Sequence, residues 1–426
     1  MNVSGENIRM SVAAARSRES VVADLMARAL ARPGILSLAA GFTDNSVLPV
    51  EIVGQAVRNL PNAGVLQYGS NQGRPALRKA IAERLAMLDG GRCGVDADGV
   101  VMTNGSQQSL YLLAQVLCDP GDIVLVEAPT YFVVFDVLGG LGVEALSLPS
   151  DGRGQVDPDG VRELLAGLAR EGRLDRVKMA YFITYYSNPS GISMDGGVKC
   201  ALGKAFSELA PWVVAVEDTA YRELYFDAPH PADSVFALPE WEGLPRVVTG
   251  SFSKCFSPGI RLGYFATNVP KIVGKSLNIK AQQDFGSANL SQWIAGYALT
   301  TGAFDPFVAG LRTHYAAKAR ALSEALEEGG LRKLGWNWDD PAGGLLLWLR
   351  GPEGLDTGAS GDFCRECLNE EVLYVPGDIC YADRRSAPRS NVRLSFGTLS
   401  VGDLREGAGR FRNAAGRMRQ YPLKEV

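Results

Sequence analysis

The hydrophobic and polar positions of this chain change period as it is read. From about residue 99, short apolar runs alternate with longer segments whose apolar residues recur at helical spacing. Gly99–Thr103, Asp122–Val126, Val177–Ile183, Trp212–Val216, Val247–Thr249 and Leu262–Ala266 are nearly continuous apolar runs rather than alternating ones. Strands buried on both faces have that composition. The segments between them, such as Gln107–Leu117 and Val198–Leu209, predict helices. Repeated strand and helix imply an α/β fold on a mainly parallel sheet covered by helices. The ligand site of such a sheet is expected beyond the carboxyl ends of its strands.

The flanks read differently. Residues 20–60 hold one helix-like segment, the Pro33-Gly34 turn and a short strand-like Ile35–Leu38. After about residue 300 the order is helix, strand (Leu345–Leu349), helix, strand (Asn391–Phe396), helix. The expected organisation is therefore 1–60 as an N-terminal arm and part of a small α+β domain, 61–300 as one large domain, and 301–426 as the rest of the small domain. Length alone, at 426 residues, would suggest two or three successive domains.

Composition narrows the functional classes. With 46% hydrophobic and 21% charged residues the chain is neither disordered nor collagen-like. A net charge of −4, both signs interspersed, offers no basic field for a phosphate backbone, so nucleic acid is not an expected partner. Seven scattered cysteines suit a reduced, cytoplasmic chain rather than a disulfide scaffold. Cys364 and Cys367 form a C-x-x-C in helical surroundings, where two neighbours on one helix face is the expected reading ahead of a redox or zinc pair. Only two histidines leave little room for metal sites, and none is expected. The first twenty residues lack an apolar leader, and no later run approaches the roughly 18 apolar residues of a membrane span.

Candidate chemistry gathers at strand ends. Ser251-Phe252-Ser253-Lys254 closes one apolar strand, and Pro258-Gly259-Ile260-Arg261-Leu262-Gly263 opens the next. A desolvated lysine there has a lowered pKa and becomes a nucleophile toward a carbonyl, while Arg261 is a permanent cation suited to phosphate. Alone, each reads as an ordinary loop cation. Asp218, after the WVVAV run, could hold a pyridine nitrogen protonated, or simply cap a helix. Asn188 in Ser187-Asn188-Pro189-Ser190-Gly191 could donate to a phenolate oxygen, or belong to a plain Asn-Pro turn. Asn104-Gly105-Ser106-Gln107 joins a strand to a helix and presents N–H groups to an anion, though one glycine before a helix is weak evidence. Four weak signals, each at the end of a different strand, stand in an order that one cofactor could unite.

The stretches RPGILSLAAG, YGSNQGRPALRKAIAERL, NGSQQSL, EAPTY, SNPSG, VEDTAYREL, SFSKCFSPGIRLGY and NVRLSF cover the chain from about Arg32 to Phe396. In them the chain resembles fold type I pyridoxal-phosphate enzymes of the class I/II aminotransferase family, especially the kynurenine and 2-aminoadipate aminotransferase subgroup. The resemblance implies pyridoxal 5′-phosphate as cofactor and transfer of an amino group from an α-amino acid to a 2-oxo acid. Lys254 would form the Schiff base (aldimine) and shuttle the proton, which explains acid–base work with almost no histidine. Asp218 would pair with the ring nitrogen, and Asn188 and Tyr221 with the ring's 3-oxygen. Gly105, Ser106, Gln107, Ser251, Ser253 and Arg261 would hold the phosphate, and Tyr131 would stack on the ring. Tyr68 is similar to a tyrosine that reaches the cofactor of a neighbouring subunit, which implies a homodimer with shared sites. Arg393 resembles the arginine that clamps the substrate α-carboxylate through a bidentate fork, with Gly41 beside it.

Three departures bear on substrate and reaction. The usual Asn-Pro-Thr-Gly is Asn-Pro-Ser-Gly, which keeps the hydroxyl. The usual Gly-x-Pro is Gly41-Phe42-Thr43, so Phe42 and Thr43 are expected to line the side-chain pocket. Where 2-aminoadipate enzymes carry an arginine, this chain has Asp24, which reads as a solvated helix residue or, with Glu19, as a selector of cationic side chains. The same catalytic set also serves elimination, replacement, cyclisation and oxidation of amino acids in specialised metabolism, the alternative reading. A noncatalytic ligand-sensing homologue would be expected to have lost Lys254, Asp218 or Arg393, and all three are present.

Overall fold

The computed structural model describes residues 9–17, 21, 27, 34–151 and 154–418. Its centre is a seven-stranded sheet of β2 (Val100–Thr103), β3 (Ile123–Val126), β4 (Glu144–Ser147), β5 (Val177–Ile183), β6 (Val214–Asp218), β7 (Arg246–Ser251) and β8 (Gly263–Thr267). The order across it is β2-β8-β7-β6-β5-β3-β4. All pairs are parallel except the two made by β8, which runs antiparallel to β2 and β7. The mainly parallel reading therefore holds, with one reversed strand. β8 follows β7 through too short a link for the crossover that a parallel neighbour needs.

The continuous apolar runs have the cause the pattern suggested, because each strand is covered on both faces. Val124, Val126, Tyr181, Ile183 and Val216 pack into one core, and Leu125, Ala180, Phe182 and Ala215 pack into the other. Successive side chains on a strand point to opposite faces, so alternate residues serve different cores. β4 went unseen in the sequence. It is an edge strand whose first residue, Glu144, is exposed and whose other residues are only half-buried, so it has no continuous apolar run.

Two boundaries move the chemistry. The WVVAV run becomes β6 only from Val214, and the strand extends to Asp218, so this carboxylate ends the strand rather than following it. Trp212 instead lies outside it and donates from Nε1 to the Val177 carbonyl at 3.1 Å. Lys254 does not end a strand either. It sits on the single helical turn Phe252–Cys255 after β7, capped by Ser251 Oγ, which accepts from Ser253 N.

Away from the central sheet, β12 (Val375–Pro376), β13 (Asn391–Ser395), β10 (Leu346–Arg350) and β9 (Asn337–Trp338) form an antiparallel sheet. β1 (Leu36–Ser37) pairs in parallel with β11 (Val372–Leu373), joining an early segment to a late one. Cys364 and Cys367 are buried on the helix Asp362–Asn369, as a pair of face neighbours should be.

Candidate active site

The carboxyl ends of β5, β6 and β7 open onto a cavity of about 320 Å³ lined by Lys254, Asp218, Arg393, Asn188, Tyr221 and Tyr131 among others. That size is at the lower end of small-molecule sites. A larger cavity of about 670 Å³ shares Phe132 with it but holds none of these six residues. The smaller one is where the chemistry converges.

Lys254 is half-buried, and its Nζ donates to the Gly41 carbonyl at 2.7 Å. Burial, then the guanidinium groups of Arg393 and Arg261, bring its ammonium down to about 8, against the opposing pull of Asp218. A lysine so placed is about one-tenth free amine at pH 7, far more than an ordinary lysine carries, and reaches half near pH 8. Asp218 is buried, and both its oxygens accept hydrogen bonds, Oδ1 from Ala220 N at 3.0 Å and Oδ2 from Tyr181 OH at 2.9 Å. Burial raises its pKa, while those two donors and Lys254 pull the other way. β6 separates two neighbouring acids. Asp218 faces the cavity, whereas buried Glu217 accepts from Thr184 Oγ1 and Lys199 Nζ at 2.6 and 2.7 Å.

Arg393 projects from β13 and is buried. Its Nη1 donates to Asn188 Oδ1 at 3.0 Å and its Nη2 to the Ala39 carbonyl at 2.6 Å, but Nε has no partner. No carboxylate among the described residues forms a salt bridge with Arg393 or Arg261. A buried guanidinium is costly unless an anion joins it, and this one lines the cavity with its Nε still unpartnered.

At the opposite end the helix Ser106–Leu117 points its N-terminus into the same region, and Ser106 lines the cavity. Gly105 has φ +87°, and a Cβ there would stand 3.0 Å from Arg261 Nη2. A Cβ on Gly263 would stand 2.6 Å from Ser106 N, so β8 passes the helix start at a distance only glycine allows. Helix N–H groups and an exposed arginine, whose guanidinium makes only long hydrogen bonds to the Pro258 and Asn104 carbonyls, make an anion cradle. A lysine amine, a carboxylate, an anion cradle and a guanidinium without a carboxylate partner among the described residues thus fit pyridoxal phosphate carrying an amino acid.

Not every expected residue lines the cavity. Ser251, Ser253, Gly105 and Arg261 lie beside Ser106 or Lys254 without lining it, and Gln107 is exposed. Tyr68 is 78% exposed, paired edge-on with Phe285 at 5.7 Å and outside the cavity. Phe42 does line the cavity, but Thr43 is buried away from it, so the expectation for Thr43 is corrected: the segment belongs to no strand, and the two side chains go to different surroundings. Asp24 and Glu19 lie outside the described residues.

Sequence reasoning missed several supports. Tyr181, two residues before Ile183 on the same face of β5, reaches Asp218, and period-two counting back from the strand end could have found it. Glu127 is buried, and its Oε1 accepts from Ile183 N at 3.0 Å and Ser187 Oγ at 2.9 Å. It ties the loop carrying Tyr131 to the one carrying Asn188, and burial pushes its carboxyl up to about 8. Asp284 Oδ2 accepts from Asn104 Nδ2 and Gln108 Nε2 at 2.6 and 2.8 Å, fixing the helix start from a distant segment that no local motif marks.

Comparison with known proteins agrees with this arrangement. The family model described as aminotransferase class I and II matches residues 33–411. Aromatic-amino-acid aminotransferase 1 of Thermococcus litoralis is 32% identical, over 88% of this chain and 87% of that protein. The 2-aminoadipate transaminase of Thermus thermophilus is 33% identical, over 94% of this chain and 95% of that protein. Among solved structures, Pyrococcus horikoshii kynurenine aminotransferase in complex with PMP matches with a TM-score of 0.85 at 28% identity, covering 96% of this chain and 97% of that one.

Proposed function

The chain belongs to the class I and II aminotransferases, and from that premise we propose the following division of labour for its pyridoxal-phosphate-dependent transfer of an amino group between an α-amino acid and a 2-oxo acid. The observation that carries it is the convergence of Lys254, Asp218 and Arg393 on one cavity. When bound, pyridoxal phosphate supplies an aldehyde carbon that accepts the amino group and a ring that withdraws electrons. Lys254 would hold the cofactor through that carbon and would move a proton between the substrate Cα and the cofactor. Asp218 holds the ring nitrogen's proton. Asn188 and Tyr221 hold the 3-oxygen, and Tyr131 packs on the ring. Gly105, Ser106, Gln107, Ser251, Ser253 and Arg261 hold the phosphate. Arg393 grips the α-carboxylate beside Gly41.

In this reading residues 61–300 bind the cofactor, and 1–60 with 301–426 form the substrate-facing remainder. A homodimer in which Tyr68 reaches the partner's cofactor is supported by the exposure of that ring outside its own chain's cavity. No helix among the described residues is long and apolar enough to cross a membrane.

The preferred amino acid is one with an uncharged side chain. Beyond Lys254 and Arg393, no described residue lining the cavity is cationic, and Ala39, Ala40, Phe42, Phe132 and Val133 make its remaining wall apolar. The test adds single amino acids to the holoenzyme without any 2-oxo acid. Phenylalanine or leucine should convert the bound cofactor to its amine form once per site, read from its visible spectrum, and release one 2-oxo acid. Multiple turnovers or oxygen consumption would instead favour elimination, replacement, cyclisation or oxidation.

The Lys254 amine has its own signature. Cofactor-free protein should capture pyridoxal phosphate, read as borohydride-trapped adduct, at a rate that rises with pH and is half-maximal near the ammonium's value of about 8. Arg393→Leu removes a neighbouring positive charge, which favours the ammonium, so its midpoint should move upward. An unmoved midpoint would contradict the assigned electrostatics.

A further inference from the structure

We propose that Tyr181 is a positioning residue that keeps Asp218 as an ionised acceptor facing the cofactor's ring nitrogen. This deepens, and rests on, the reading that pyridoxal phosphate binds with its nitrogen at Asp218. Tyr181 lies on β5 with its ring fully buried, and its hydroxyl donates to Asp218 Oδ2 at 2.9 Å. β5 and β6 are parallel neighbours that pair Ile183 with Asp218, so Tyr181, two residues earlier, stands directly below the carboxylate on the same face.

The carboxylate's other surroundings make that one donor matter. Asp218 forms no salt bridge at the hydrogen-bonding distances that join Lys199 to Glu217 or Arg222 to Asp89 on the opposite side of the sheet. Among the described residues, Ala220 N is its one hydrogen-bond donor besides Tyr181. The titratable groups around it are Tyr181, Lys254, Glu127, Tyr131 and Tyr221. Of these only Lys254 carries a cation, and that amine is committed to chemistry at the aldehyde carbon. Burial favours the neutral acid, and a donor to the carboxylate opposes it.

The consequence is a choice of where one proton rests. With the phenol in place the carboxylate is the weaker base and the proton stays on the ring nitrogen, which keeps the ring electron-withdrawing. Without it, the carboxylate competes for that proton and the ring becomes neutral. Burial and Asp218 both push the Tyr181 hydroxyl well above its ordinary value, so it remains a donor throughout the working range.

The test loads wild type, Tyr181→Phe and Asp218→Ala with cofactor labelled with 15N in the ring and follows the 15N shift from pH 6 to 9. Wild type should show a protonated nitrogen across the range. Tyr181→Phe should still bind cofactor but shift toward the neutral ring as pH rises, with kcat down about tenfold, the size of one lost hydrogen bond to a charged group, and KM unchanged. If only Asp218→Ala departs from wild type, the role of Tyr181 is overturned while the cofactor reading stands. If neither variant departs, the Asp218 assignment fails and this proposal with it. Should Tyr181→Phe not fold, 3,5-difluorotyrosine placed at 181 supplies a stronger donor of nearly the same shape. It must hold the nitrogen protonated to higher pH than wild type, and failure to do so overturns the proposal.

Discussion

Lys254→Ala should lower kcat by about 10⁴-fold or more, because it removes both the amine that captures the cofactor and the group that moves the Cα proton, and a positioned acid–base alone is worth 10²–10⁴. The side chain donates one hydrogen bond, to the Gly41 carbonyl, its Nζ lies 5.8 Å from the centre of the Tyr221 ring, and burial disfavours its charge. Thermal unfolding of the cofactor-free variant should therefore lie close to wild type. Added methylamine should restore part of the turnover by acting as a diffusible base. Turnover that survives the substitution without added amine would remove the central residue of the reading.

Arg393→Leu should cost about 10²–10³ in kcat/KM toward amino acids. The range follows from truncating one partner of a buried, hydrogen-bonded charge pair, worth about 2–5 kcal/mol. Leucine keeps an apolar contact with the Phe132 ring, which the guanidinium now faces at 5.5 Å, yet it leaves Asn188 Oδ1 and the Ala39 carbonyl without their donor. A control separates those two losses. Against an amine that lacks the α-carboxylate, variant and wild type should react at similar low rates, since the clamp has nothing to hold. An equal loss on both substrates would mean that Arg393 acts by organising Asn188 and not by binding carboxylate. Arg393→Lys should recover only part of the activity, because an ammonium keeps the charge but loses the fork.

The sheet and its residues were legible for different reasons. Strands such as β5 announce themselves because burial on both faces demands an unbroken apolar run, which is a local property of sequence. The polar residues that end such runs, Asp218 among them, stand out by contrast. Arg393 was legible through the family resemblance of NVRLSF, and the structure puts it on a strand. Period-two counting puts Tyr181 on the face of Ile183, but only the register of β5 and β6 shows that its hydroxyl meets Asp218. Glu127 and Asp284 hide for another reason. Their partners lie far along the chain or on other loops, and only the folded geometry says whether a lone acid caps a turn or braces a site. Thr43 fell on the wrong side because a stretch without regular alternation gives no phase to count from.

The join between the early and late segments has a bearing on how the protein is made. Arg393 Nη2 reaches the Ala39 carbonyl across 354 positions, Ser395 N donates to the Leu38 carbonyl, and β1 pairs with β11. At about 5–20 residues per second, the ribosome releases the later partner roughly 20–70 s after the earlier one. During that interval the segment around Leu38 has apolar surface and open backbone groups with nothing to pair them, while the central sheet, encoded in between, can already assemble. Completion of the carboxylate clamp is thus a late event of synthesis, and a nascent chain stalled before β13 would hold every cofactor contact proposed for its own chain yet lack Arg393, the proposed grip on the substrate's carboxylate.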